Sequence, residues 1–123
     1  MPVFLARRGA VALLALVALS APALAEELTF VMNNQHPKPV EVQLYSQNRE
    51  SLWPGPSDVF LLEDGETRTM TVACETGETI CYGAWLQGDR TTFWGVGPGK
   101  VRHCDNCCYV CEGGKTEEID LVP

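Results

Sequence analysis

The chain gathers its reactive side chains in one short run, Cys104-x-x-Cys107-Cys108-x-x-Cys111, preceded by His103, with two more cysteines upstream at Cys74 and Cys81. Three chemistries could use such a run. Thiolates at two-residue spacing can wrap a tetrahedral soft metal ion, with His103 as a further donor. A Cys-x-x-Cys pair can exchange with other thiols when its thiol pKa is depressed at the first turn of a helix. In an oxidising compartment the same residues become structural disulfides. The third reading is favoured. Zinc knuckles face each other from separated segments, whereas here the two Cys-x-x-Cys pairs are fused, and four ligands from eight consecutive residues would be cramped. Neither a helix nor a βαβ unit is visible around the run to support exchange.

Hydrolytic chemistry has little to draw on. His36 stands beside Pro37 and His103 beside the cluster, and neither Gly-x-Ser-x-Gly nor His-Glu-x-x-His occurs. Each histidine therefore reads as a surface residue. Glu63 with Glu66, or Glu117 with Asp120, could serve as glycosidase carboxylates or calcium ligands, but the loops lack the oxygen-ligand spacing of an EF-hand, and solvated acids are the simpler reading. No catalytic residue, metal centre or cofactor is expected. Trp53 is the candidate binding residue: in Leu52-Trp53-Pro54-Gly55-Pro56 the prolines hold it either as a plug at one end of the fold, the favoured reading, or as a pre-ordered contact.

The covalent framework follows from loop closure. Adjacent Cys107 and Cys108 cannot bond without a strained ring. Tying Cys74 and Cys81 into the cluster closes longer loops and constrains the unfolded chain more, at about 3 kcal/mol for a typical bond. It also holds down the glycine-flanked segment 97–114. The expected framework is two bonds from Cys74 and Cys81 into residues 104–111 and one bond within the cluster.

The compartment is read from the start of the chain. Arg7 and Arg8 precede an apolar run over residues 10–19 and then Ala23-Leu24-Ala25, the three-part layout of a secretory signal. Residues 1–25 are expected to be the leader, and 26–123 one disulfide-bonded β domain, periplasmic or secreted. The apolar run is far short of the roughly 20 residues that cross a bilayer, so no membrane insertion is expected. Whole, the chain has 9 basic and 16 acidic residues, net −7. The leader carries two of the arginines and no acid, which leaves 7 against 16, or −9. That sign repels nucleic acid and anionic membranes.

The elements that position these residues are strands. Period-two alternation is frequent, helical periodicity is missing, and glycine, proline and Asp-Gly punctuate the chain. Val40, Val42 and Leu44 alternate with Glu41, Gln43 and Tyr45, as in a strand with one wet face. Further strands are expected over 28–32, 59–62, 68–74, 79–87 and 118–122, with 48–58 a long loop. Gly88-Asp89 reads as a two-residue hairpin turn that sets Gln87 opposite Arg90. That register places Gly83 opposite Trp94 and Ala84 opposite Phe93, with Cys81, Trp85, Trp94 and Val96 on one side. About seven short strands predict an all-β protein, a small antiparallel β-sandwich or partly open barrel stapled by disulfides.

The stretch 77–85, then Trp94-Gly95-Val96-Gly97, then the cysteine run resembles a group of small exported cysteine-rich proteobacterial β proteins. The resemblance covers most of residues 26–123 and implies the fold class and compartment, and it carries over no catalytic or binding residue. The expected role is an exported non-enzymatic binding or structural module that takes an unidentified protein or small-molecule ligand. A periplasmic metal-binding protein using Cys104, Cys107, Cys108, Cys111 and His103 is the alternative, and a thiol-disulfide oxidoreductase the third reading.

Overall fold

The computed structural model describes residues 25–123, so the expected leader, apart from Ala25, lies outside the described residues. Among those residues there are nine strands: β1 (Ala25–Asn34), β2 (Val40–Ser46), β3 (Leu52–Trp53), β4 (Phe60–Leu62), β5 (Thr67–Glu75), β6 (Thr79–Leu86), β7 (Asp89–Gly95), β8 (Cys108–Val110) and β9 (Lys115–Leu121). No helix among them is long and apolar enough to cross a membrane. The strands form two sheets that are not closed into a barrel. The smaller has the order β5-β1-β9, and the larger β3-β2-β6-β7, with β4 also on β2 and β8 also on β6. β3 and β4 thus share one flank of β2, and β7 and β8 one flank of β6.

Alternation decides which side of each strand is covered. Leu28, Phe30 and Met32 of β1 and Met70, Val72 and Cys74 of β5 point the same way, and they meet Val40, Val42 and Leu44 of β2 and Ile80, Ala84 and Leu86 of β6 in one core between the sheets. Asn34, fully buried, ends β1 inside this core. Its amide donates to the carbonyls of Lys38 (2.9 Å), Leu62 (3.1 Å) and Glu63 (3.1 Å), while its Oδ1 accepts from His36 N at 2.8 Å. Asn34 therefore ties together two loops whose own backbone groups would otherwise go unpaired.

Five expectations change. Residues 48–58 are not all loop, because Leu52 and Trp53 pair with Tyr45 and Leu44 as β3. The cysteine run contains a strand, β8, which puts Cys108 directly opposite Cys81. The sandwich is not purely antiparallel, since β9 runs parallel to β1. The hairpin turn is Gln87-Gly88, with Leu86 opposite Asp89, because Gly88 has φ 85° and the left-handed position falls to the residue without a Cβ. Finally, the register slips by an irregularity between Trp85 and Leu86, so that Gly83 faces Gly95, Ala84 faces Trp94 and Trp85 faces Phe93. Asp89 sits in this irregularity and accepts from Thr91 N and from the hydroxyls of Thr91 and Thr92. A one-residue slip exchanges faces. Trp94 goes to the main core, and Trp85 stays on the outer face of the larger sheet.

That outer face is covered in part by a second, smaller cluster of Tyr45, Cys81 and Val96 with Leu52, Cys104 and Cys108. Residues 95–99 cross over Gly83 so closely that a Cβ there would collide with the carbonyl oxygen of Gly97 and lie 3.1 Å from the Tyr45 ring. Gly83→Ala should therefore cost about 1–3 kcal/mol or more, because backbone cannot move aside as a side chain can. Gly114→Ala, which would meet nothing within 4 Å, should stay within about 0.5 kcal/mol of wild type. Urea melts of the two variants check this, and equal midpoints would refute the close crossing.

Candidate functional site

All six cysteines are bonded, as Cys74–Cys111, Cys81–Cys108 and Cys104–Cys107. This is the cross-linked arrangement expected from loop closure. The run is pulled in three directions, because β8 alternates like any strand. Cys111 joins the main core, Cys108 joins the outer cluster, and Cys104–Cys107 closes over a single 3-10 turn. As disulfides these sulfurs offer no thiolate to an ion. His103 is turned away and contacts Asp105 at 2.6 Å, with both side chains nearly fully exposed. Among the described residues no group of three or more His, Cys, Asp and Glu side chains is placed to hold a metal. His36 is likewise engaged locally, its Nδ1 accepting from Lys38 N and its ring edge-on to Trp94.

Trp53 lies where the two sheets part. Its neighbour Leu52 faces the outer cluster, whereas Trp53 packs against the rim of the main core and remains partly exposed. It is both a partial plug and a surface residue. Between β3 and the edge strand β5 a groove of about 390 Å³ opens, lined beyond the expected leader by Arg49, Ser51, Trp53, Ala73, Cys74 and Glu75. The Arg49 guanidinium lies over the Trp53 ring, 5.9 Å from its centre, a favourable cation–π placement.

Arg49 is held there by Glu78, a residue that sequence reasoning passed over. Glu78 is 4% exposed. Its Oε2 accepts from Arg49 Nε at 2.6 Å, and its Oε1 accepts from Arg49 Nη2 and from Glu75 N, both at 2.9 Å. Its backbone carbonyl accepts from Cys111 N, while Gly77 N donates to Cys111 O. The bidentate guanidinium outweighs burial and holds the Glu78 carboxyl down at about 2, against 4.5 when free. Across from it, the Ser46 hydroxyl caps the loop by accepting from Asn48 N and Arg49 N. The groove is thus built from a turn, a loop and an edge strand locked by one buried carboxylate. No local pattern marks Glu78, because its partner is 29 residues away in sequence.

Three further cations stand over aromatic rings on the outer face of the larger sheet. Arg90 lies over Trp85, Arg102 over Phe93 and Lys100 over Tyr45, at 5.0, 5.3 and 5.9 Å from the ring centres. Below them Trp85 Nε1 donates to Glu41 at 2.9 Å, and the Tyr45 hydroxyl donates to Gln43 and accepts from Gly99 N. Burial pushes the Tyr45 phenol up, against the pull of the Gly99 N–H. No protein-family model, no curated protein and no solved structure matches the chain.

Proposed function

We propose that the protein is an exported, non-enzymatic binding module that meets its ligand at the groove carrying Trp53. The single observation behind this reading is the pre-ordering of Trp53: it is set in β3, followed by Pro54, and has its ring under a guanidinium that Glu78 holds in place. An aromatic fixed in this way loses little entropy on binding. The absence of an enzymatic role is supported by the engagement of both histidines in local contacts. Export is supported by the charge layout of residues 1–25 and by the three disulfides, which persist in oxidising compartments.

Trp53→Ala tests the assignment. Because the ring is only partly buried, the loss should be about 2 kcal/mol, below the 3–5 typical of a fully buried tryptophan, and the variant should stay folded by circular dichroism. A photo-crosslinker at Ser51, in the same groove, should capture a ligand from the exported compartment when Trp53 is intact and fail to do so in the Trp53→Ala variant. An unfolded variant would make Trp53 a core plug and end the proposal.

A further inference from the structure

We infer that the outer face of the larger sheet, centred on the turn 97–102, is a docking surface for an acidic protein segment. Four observations converge on it. First, a chain of net charge −7 places three of its cations, Arg90, Lys100 and Arg102, on one sheet face. Among the described residues the ion pairs are Arg49 with Glu75 and Glu78 and His103 with Asp105, so none of these three cations is held in an ion pair. All three are exposed. Secondly, each stands over an aromatic ring and none is in ion-pair contact with an acid, although Glu41 lines the same hollow as Arg90 and Glu50 the same hollow as Lys100. The rings orient the cations without consuming their charge, and Arg90 and the terminal nitrogens of Arg102 keep N–H groups free for a carboxylate.

Thirdly, Lys100 has φ 58°, a conformation that no other non-glycine shows among the described residues. Gly97 and Gly99 take up the same half of conformational space in the same turn at φ 73° and 65°. A third glycine would sit there without strain, whereas the lysine holds a charge at the crest of the turn at a conformational cost. The turn is fixed from below, by Gly99 N donating to the Tyr45 hydroxyl and by Arg102 Nε donating to Gly95 O at 2.7 Å. Fourthly, Val101 is 60% exposed between Lys100 and Arg102. An apolar side chain framed by two cations matches a segment that carries an apolar residue between carboxylates.

The same details favour protein over polysaccharide as the occupant. Sugars stack on open aromatic faces, but Trp85 and Tyr45 are 1% and 4% exposed beneath their cations, so contact must come through charge and through Val101. The protein's overall negative charge does not prevent this, because repulsion from distant acids is screened beyond about 8 Å at physiological salt, while the partner's carboxylates lie against the patch. Trp53 faces the groove on the core side of β3, and none of the three cations lines that groove.

The test uses a fluorescein-labelled synthetic peptide of Glu-Leu-Glu-Gly repeats, its Gln-Leu-Gln-Gly counterpart and polygalacturonate, read by anisotropy and competition. The wild-type protein should bind the glutamate peptide, bind the glutamine peptide at least tenfold more weakly, and lose affinity as salt is raised. Lys100→Gly should weaken binding at least threefold while the melting temperature holds or rises, since glycine relieves the turn. Arg90→Gln supplies a second variant away from the turn, with the same expected direction, and Trp53→Ala should leave this binding unchanged. The inference is overturned if the glutamate peptide does not bind, if both peptides bind alike, if Lys100→Gly binds as wild type, or if polygalacturonate competes better than the peptide.

Discussion

Replacing Cys74 and Cys111 together by alanine should lower the stability by about 4 kcal/mol, the value expected for a closed loop of this length. The bond joins residues 37 apart, against 27 for Cys81–Cys108 and 3 for Cys104–Cys107. On the same relation the middle bond contributes slightly less, and the short one under about 2 kcal/mol. The Cys74–Cys111 link also has the deeper setting. Both sulfurs lie in the main core, where the bond fastens edge strand β5 to the segment that leads into β9. For a domain of this size each kcal/mol shifts the melting temperature by roughly 4–8 °C, so the double variant should melt on the order of 15–30 °C lower. Cys104→Ala with Cys107→Ala should move it by less than half as much. Scanning calorimetry of the three double variants gives the ranking, and loss of the short bond proving as costly as loss of the long one would refute it. Partial reduction supplies a second reading. Cys104 is partly exposed, whereas Cys74 and Cys111 are buried, so alkylation after brief thiol treatment should mark Cys104 and Cys107 first.

The second large effect belongs to Glu78. Its carboxyl titrates at about 2 in the folded protein, against 4.5 when free. A depressed acid contributes stability that is fully present above the unfolded value and is lost as pH falls through the folded one. The window therefore runs from about pH 4.5 down to about pH 2, and the contribution is about 3 kcal/mol. Glu78→Gln should remove most of it at neutral pH, because the neutral amide cannot hold the Arg49 guanidinium in a charged bidentate pair as a carboxylate does. Arg49 would then be released from the Trp53 ring, and the 46–51 loop would lose its bidentate hold on the 75–78 turn, keeping only the longer Arg49–Glu75 ion pair there. Urea denaturation followed by tryptophan fluorescence should show a gap between wild type and variant that is constant from pH 7 to about 5 and closes towards pH 2. A gap that does not change with pH would mean that the charge of Glu78 is not what stabilises the loop.

Much of this was legible in the chain itself. Alternation over Val40, Val42 and Leu44 predicted β2 and its buried face, and a strand was also expected over 68–74, where β5 lies. These signals are local, since which side of a strand meets water depends only on residues two apart. The class of disulfide framework was equally accessible, because loop-closure entropy depends on sequence separation alone.

The remainder was set by contacts between distant residues. The β6–β7 register turned on Gly88 rather than Asp89 taking the left-handed position and on Asp89 bonding Thr91 and Thr92. That shift sent Trp94 to the core and left Trp85 under Arg90. Which cluster cysteine meets Cys74 and which meets Cys81 depends on β8 pairing with β6, a three-residue strand too short to announce itself by alternation. The parallel docking of β9 on β1 joins segments about 85 residues apart, which no periodicity records. The Arg49–Glu78 lock and the cation-bearing outer face have the same origin. In sequence they are ordinary surface charges, and only packing decides that Glu78 is buried against one cation while Arg90, Lys100 and Arg102 come to rest on aromatic rings outside any ion pair.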